Sequence, residues 1–273
     1  MRGSCFGFIL GIVMEAGLLK LEWGVQSFNA LIAQEGWQAF VETNATSPIF
    51  KRGLEFLANR EDLLLAICLN NGYYNRESIY RMLRFSLAFS KRVQVFFTDG
   101  PAKHNYRAKG MDEYEIVREC RLQRNRLRNH CVRALERINM GKEAYAVTFV
   151  EWGSIYADSQ YQGSYNYLKT LYTDNSAFQI DIDSATRKVL ENRIGQTMDI
   201  ESKISIAIEY VLEELAFILS YSKLNSSSKP IANHGANGFN YIYYEPWFVF
   251  ENLVNGLYDN RVHPEIGFAL VKV

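Results

Sequence analysis

Residues 61–98 carry the pattern that most narrows what this chain can fold into. Glu61–Asn70 reads EDLLLAICLN, a short apolar run bounded by charge and Asn, as expected of a buried parallel strand ending at Asn70-Asn71-Gly72. Glu77 to Phe89 then places Ile79, Met82, Leu83 and Leu87 at helical spacing. Arg92–Thr98 (RVQVFFT) is a second strand, closed by Asp99-Gly100-Pro101. Strand, helix and strand in this order form a βαβ unit, so an α/β fold with a parallel sheet flanked by helices is expected.

The rest of the chain extends the pattern. Asp112–Asn139 is a long helix without Gly or Pro, and Ala144–Val150 is a third strand. Tyr165–Arg193 is helical with a break or cap at Asp183-Ser184, and Ile200–Leu219 is strongly helical. Asn225–Asn237 is expected to be a mobile Ser/Asn/Gly loop, and Phe239–Tyr244 a fourth strand. Pro246 is suited to open a last helix that runs to about Leu257. No repeat at solenoid periods is present, so residues 1–273 are expected to form a single α/β domain, with 1–60 given no role.

Composition removes several classes of function. Hydrophobic residues are 48% and charged residues 22% of the chain, which excludes global disorder. Thirty basic residues balance thirty acidic ones, which argues against coating nucleic acid through bulk charge but leaves room for a local patch. Cys5, Cys68, Cys120 and Cys131 show neither metal-type spacing nor a disulfide framework, so the reducing cytoplasm is the expected compartment. Cys5–Met14 is apolar, but Glu15 interrupts it before the ~20 residues a membrane span requires. With no clear cleavage site either, it reads as an apolar strand or partner-facing segment and no membrane is expected. There is no glycine-rich phosphate loop, no H-E-x-x-H and no G-x-S-x-G, and His104, His130, His234 and His263 are scattered. No nucleotide cofactor and no metal are therefore expected.

Three features remain. Cys68 lies at the carboxyl end of the first strand, where open parallel sheets form their ligand crevice, beside a loop of backbone donors. It is either a nucleophile or a buried structural thiol. Tyr210 and Glu214, spaced i, i+4, project from one helical face as an ammonium-holding pair or an ordinary exposed pair. The Asp112–Asn139 helix carries seven arginines against two glutamates between Arg118 and Arg137. Ile116, Cys120, Leu127, Cys131, Ala134 and Ile138 form its apolar stripe, and the arginines cover much of the rest. That concentration suits a phosphate backbone; an incidentally basic, solvated helix is the alternative.

Together these features resemble the cyclodipeptide synthases, tRNA-dependent enzymes related to the catalytic domains of class I tyrosyl- and tryptophanyl-tRNA synthetases. The family has a hydrophobic strand ending in a nucleophilic serine and then a small-residue loop with an Asn and an aromatic. Leu63-Leu64-Leu65-Ala66-Ile67-Cys68, Asn71 and Tyr73 occupy those places. A tyrosine, three residues and a glutamate follow in the family, matched by Tyr210 and Glu214. Val95–Asp99, the arginine-bearing helix, a tyrosine at Tyr161 or Tyr165, and a strand-ending tyrosine at Tyr243 or Tyr244 complete a likeness spanning Asp62 to Phe250. The departures are Cys68 for serine, Ala66 for a glycine beside the pocket, Asp62 for an opening histidine, and Ala216 for a proline. Both a native cysteine and a replaced serine are compatible with the sequence.

The resemblance implies a Rossmann-like catalytic domain that takes aminoacyl groups from two charged tRNAs, forms a covalent aminoacyl-enzyme, and releases a 2,5-diketopiperazine without ATP. It implies catalytic roles for Cys68, Tyr210, Glu214 and Tyr243 or Tyr244. Ala66, Asn71 and Tyr161 would bind substrate, and Arg118, Arg121, Arg124, Arg126, Arg128 and Arg133 would hold tRNA. Two alternatives stay open: a synthetase-like amino-acid-activating enzyme, although HIGH and KMSKS signatures are missing, and a non-catalytic tRNA-binding module.

Overall fold

The computed structural model describes residues 47–59, 61–90, 92–138, 146–194, 200–227, 238–245 and 247–270. The apolar segment at 5–14, residues 228–237 of the expected 225–237 loop and Pro246 lie outside the described residues, while 225–227 continue the preceding helix and are not loop. The described strands are β1 (Asp62–Ile67), β2 (Arg92–Phe97), β3 (Ala146–Val150), β4 (Phe239–Tyr243) and β5 (Ile266–Leu270). They form one parallel sheet in the order β3-β2-β1-β4-β5. The helices are α1 (Pro48–Ala58), α2 (Arg76–Phe89), α3 (Asp99–Ala108), α4 (Glu113–Ile138), α5 (Trp152–Tyr156), α6 (Ser159–Asp174), α7 (Ser176–Ile194), α8 (Glu201–Ser227) and α9 (Phe248–Val254).

The central strand is uniformly apolar because both its faces are covered: Leu63 through Ile67 are fully buried. Asn75 starts α2 by accepting hydrogen bonds from the Glu77 and Ser78 amides, both at 3.0 Å. The 27-residue α8 is buried on nearly all sides from Val211 to Tyr221 and packs on α3, α6 and α7.

Several elements differ from the sequence expectation. Asp99-Gly100-Pro101 is the first turn of α3, where an amide has no intrahelical partner and proline costs nothing. The break in the 165–193 helix falls at Asn175, whose extended backbone ends α6 and whose side chain accepts from the Phe178 amide at 2.9 Å to start α7. Asp183 instead lies inside α7 and accepts from the Tyr172 hydroxyl at 2.7 Å. Helices α1 and α5 and strand β5 were not expected at all. Strand β5 (IGFAL) is short, and its Gly267 has a packing reason: a Cβ there would lie 2.8 Å from the Gly53 Cα of α1. The two glycines let helix and strand backbones touch.

Candidate active site

The chain runs outward from β1 to β2 and β3, then returns to add β4 and β5 on the other side of β1. At such a reversal the connections leave in opposite directions and open a crevice at the strand carboxyl ends. Cys68 immediately follows β1 and Tyr243 ends β4, so the topology sets them on opposite lips. The Cys68 Sγ lies 3.5 Å from the Tyr243 hydroxyl. Cys68 is only 1% exposed and lies behind Tyr243, which lines the crevice.

The loop after Cys68 is held by side chains. The Leu69 amide donates to the Thr98 hydroxyl at 3.3 Å, and the Thr98 amide donates to the Ile67 carbonyl at 3.2 Å. The Tyr210 hydroxyl also reaches Thr98, at 3.4 Å. Thr98 thus ties the Cys68 loop to α8. Asn70 turns the chain with φ of 56°, a left-handed conformation that Asn tolerates better than most residues, and its amide donates to the Tyr106 hydroxyl. The Asn71 side chain accepts from the Tyr73 amide at 3.0 Å and donates to the Tyr244 hydroxyl at 2.7 Å. Tyr244 in turn donates to Glu245 at 2.9 Å and stacks on Tyr73 with ring centroids 4.3 Å apart. The two adjacent tyrosines therefore differ: Tyr243 faces the thiol and Tyr244 braces Asn71.

Tyr210 and Glu214 sit one turn apart on α8 and line the same cavity as Asn71, Tyr243 and Tyr244, a space of about 480 Å³. This is within the range that holds a small molecule. Glu214 is 3% exposed and accepts from the Tyr241 hydroxyl at 3.3 Å. Burial first, and the neighbouring Glu214 next, push the Tyr241 phenol well above its ordinary range. Burial, followed by the adjacent Cys68, does the same for Tyr243. Both remain neutral hydrogen-bond donors. A carboxylate and a protonated phenol lining one cavity, with a buried thiol against that phenol, are equipped for acyl transfer with an amine held in place.

Two residues expected at the pocket lie elsewhere. Ala66 is fully buried within β1 opposite Phe96 and does not line the cavity. Tyr161 is on α6, edge-on to Trp152 at 6.1 Å, with its phenol pushed up by burial and then by Glu213. It belongs to a cluster in which Glu213 accepts from Tyr156 at 2.7 Å and meets His104 at 3.1 Å. Tyr165 bonds Glu209 and does not line the cavity. The sequence reading also missed contributors. Thr98 and Tyr241 are buried polar partners without a motif, and α7 and α9 bring Lys188 and Phe248 to the cavity. A polar residue closing the apolar RVQVFF strand was the available signal for Thr98, and Tyr241, in the middle of FNYIY, had none.

On α4, Arg118, Arg121, Arg126, Arg128 and Arg133 are exposed, and the buried stripe holds Ile116, Cys120, Leu127, Cys131 and Ala134, with Ile138 half-buried. Arg124 departs from the expectation of a free cation. It is half-buried and pairs with Asp99 at 3.1 Å and Glu151 at 3.4 Å, joining α4 to the start of α3. Arg128 also lies over the Phe149 ring at 5.3 Å. Among the described residues, no group of three or more His, Cys, Asp or Glu is arranged to hold a metal, and no helix is long and apolar enough to cross a membrane.

Comparison with known proteins gives the fold and the family. The model of the family described as cyclodipeptide synthase matches residues 45–273. A cyclodipeptide synthase from Bacillus thermoamylovorans superposes with a TM-score of 0.68 at 18% identity, covering 84% of this chain and 99% of its own. A Mycobacterium tuberculosis protein, whose structure is described as demonstrating that cyclodipeptide synthetases are related to type I tRNA synthetases, gives 0.61 at 14% identity, covering 81% and 89%. A synthase from Candidatus Glomeribacter gigasporarum, solved bound to Phe-tRNAPhe, gives 0.54 at 14%, covering 78% and 88%. No curated protein matches the chain in sequence. The Rossmann-like parallel sheet of the class I synthetase catalytic domains is thus the observed architecture.

Proposed function

The chain belongs to the cyclodipeptide synthase family, and we propose that it joins the aminoacyl groups of two charged tRNAs into a 2,5-diketopiperazine through a thioester on Cys68. The observation that carries this reading is the Cys68 thiol facing the Tyr243 hydroxyl at 3.5 Å, where Tyr243 lines a cavity together with Tyr210 and Glu214. The Glomeribacter relative with bound Phe-tRNAPhe supports aminoacyl-tRNA as the substrate.

The Cys68 sulfur attacks the ester carbonyl of the first aminoacyl-tRNA. The carbon–oxygen bond to the terminal ribose breaks, and the departing oxygen takes up the thiol proton. Tyr243, kept protonated by burial, is placed to pass that proton between sulfur and oxygen. Glu214 and Tyr210 hold the α-ammonium group of the bound aminoacyl moiety, one through charge and one through its hydroxyl. Asn71, fixed through Tyr244, orients the acyl group. After losing its proton, that amine attacks the second aminoacyl ester, releasing the second tRNA and leaving a dipeptidyl thioester. The dipeptide's free amine then attacks the thioester carbonyl, closing the six-membered ring and restoring the thiol. Two existing esters supply the activation, so no ATP enters. The exposed arginines of α4 hold the tRNA by its phosphates, which makes the reaction salt-sensitive.

Incubation with radiolabelled aminoacyl-tRNA is expected to leave label covalently on the wild-type protein and none on Cys68→Ala. No label on wild type, or equal label on both, overturns the mechanism. ATP–pyrophosphate exchange is expected to be absent, and its presence would assign a synthetase-like activation instead. Mass spectrometry of culture medium after bacterial expression gives the product and its two amino acids.

A further inference from the structure

We propose that Glu213 is a positioning residue: it sets the rotation of α8 and thereby holds Tyr210 and Glu214 in place for acyl transfer. The inference rests on the function proposed above and adds what keeps that pair where it is. The sequence EYVLEE at 209–214 carries two interleaved i, i+4 pairs, Glu209 with Glu213 and Tyr210 with Glu214. Neighbouring residues on a helix lie about 100° apart, so the two pairs form adjacent faces. The face of Tyr210 and Glu214 meets Thr98 at 3.4 Å and Tyr241 at 3.3 Å. The face of Glu209 and Glu213 meets α3, α5 and α6 instead.

Glu213 is buried, and its two oxygens are held from two different elements. Oε1 meets Nε2 of His104 on α3 at 3.1 Å, and Oε2 accepts from the hydroxyl of Tyr156, the last residue of α5, at 2.7 Å. Both partners are set as donors. Burial first, and Glu213 next, keep the Tyr156 phenol protonated. Arg107 lies 3.5 Å from Nδ1 of His104 and has only protons to offer, which leaves the ring proton on Nε2, facing Glu213. One turn earlier, Glu209 bonds Tyr165 and meets Lys169 at 3.1 Å, both on α6 and nearer to solvent. The other packing of α8 is mostly apolar, through residues such as Leu212, Leu215, Phe217 and Ile218. Apolar burial has no direction, so it keeps the helix inside without fixing its rotation. At a side-chain radius of about 5–6 Å, a rotation of about 10° moves a carboxylate by about 1 Å. A misplacement of that size costs roughly a hundredfold in rate. A buried acceptor gripped from two sides removes that freedom.

Replacing the whole cluster by apolar residues in the full-length protein separates position from stability. In the triple variant Glu213→Leu, His104→Leu, Tyr156→Phe, Arg107 keeps its pair with Glu113 and no member of the cluster is left with an unmet polar group. Its melting temperature is expected to equal or exceed that of wild type. Labelling of Cys68 by saturating radiolabelled aminoacyl-tRNA is nevertheless expected to slow roughly ten- to hundredfold, with affinity for uncharged tRNA unchanged. Glu213→Gln is expected to recover most of the wild-type rate. Its carbonyl accepts from His104 and its amide donates to Tyr156, whose hydroxyl can turn from donor to acceptor. Crystal structures of wild type and the triple variant give a readout that needs no chemistry, with Glu214 expected to move about 1 Å relative to Tyr241. Glu214 in its wild-type place, or labelling of the triple variant at the wild-type rate, overturns the proposal. Should the triple variant not fold, Tyr156→Phe alone removes one of the two bonds and is expected to slow labelling about three- to tenfold; an unchanged rate there overturns the proposal too. A wild type that takes no label removes the synthase mechanism, and the position of Glu214 then decides the role of Glu213 by itself.

Discussion

Tyr243 and Tyr244 are neighbours in sequence with different tasks, and the reason is strand alternation. Tyr241 and Tyr243 are two apart on β4 and stack at 5.9 Å, one against Glu214 and the other against Cys68, while Tyr244 follows the strand end. Replacing Tyr243 by Phe keeps the ring and removes the proton donor. The expected result is acyl-enzyme formation on Cys68 slower by about 10²- to 10⁴-fold, followed by intact-protein mass spectrometry. Tyr244→Phe, which loses the brace on Asn71 and the bond to Glu245, is expected to cost less in the same assay. Cys68, Asn71, Tyr210 and Glu214 were legible because strand ends and i, i+4 spacing can be read from one sequence. Thr98 and Tyr241 were not, since a hydroxyl's partner depends on which strand lies beside it.

At the scale of elements, α4 shows how a sequence count of charge mixes two kinds of residue. Arg124 points inward to Asp99 and Glu151, whereas Arg121, Arg126 and Arg133 point to solvent. Arg124→Ala leaves the largely buried Asp99 without its cation and is expected to destabilise the fold by about 1–2 kcal/mol. Joint replacement of Arg121, Arg126 and Arg133 by Gln is expected to leave the melting temperature unchanged and to flatten the salt dependence of tRNA binding by about three ions. Thermal melts and binding titrations separate the two. The α1–β5 contact makes another prediction. A Cβ on Gly53 would lie 2.2 Å from the Phe268 carbonyl oxygen, so Gly53→Ala is expected to cost about 1–3 kcal/mol in urea unfolding. Long periodic elements such as α2, α4 and α8 were readable from hydrophobic spacing. The α1–β5 pairing was not, because glycines that permit contact look like ordinary breakers until their partner is known. The same is true of the α3 start, where Asp99-Gly100-Pro101 has the composition of a loop turn and the position of a helix's first turn.

For the molecule as a whole, the tyrosines set an alkaline limit. Tyr74, Tyr241 and Tyr243 are all raised well above 10.0, chiefly by burial. Above the ordinary tyrosine value the unfolded chain loses these protons and the folded chain keeps them, so the unfolded state binds fewer protons and stability falls as pH rises. Their contribution is complete below about pH 10 and declines above it. On alkaline titration, the buried tyrosines' share of tyrosinate absorbance is expected to appear together with loss of helical circular dichroism. An earlier, separate ionisation of that buried set would contradict the burial seen here. The neutral overall charge also takes on a spatial meaning, with exposed arginines gathered on α4 and carboxylates such as Glu213 and Glu214 kept inside.

The return of the chain to β1 has a consequence in time. Cys68 directly follows the first described strand and Tyr243 ends the fourth, 175 residues later. Pairing over such a separation is slow to form, because the loop must be closed before the contact gives anything back. A nascent chain in which β1, β2 and β3 have formed carries the thiol but has neither Glu214 nor the opposing phenol. On a ribosome surrounded by charged tRNA, such a chain has nothing to hold an aminoacyl ester against the sulfur. Under the proposed mechanism, acyl transfer therefore has to wait until α8 and β4 have docked.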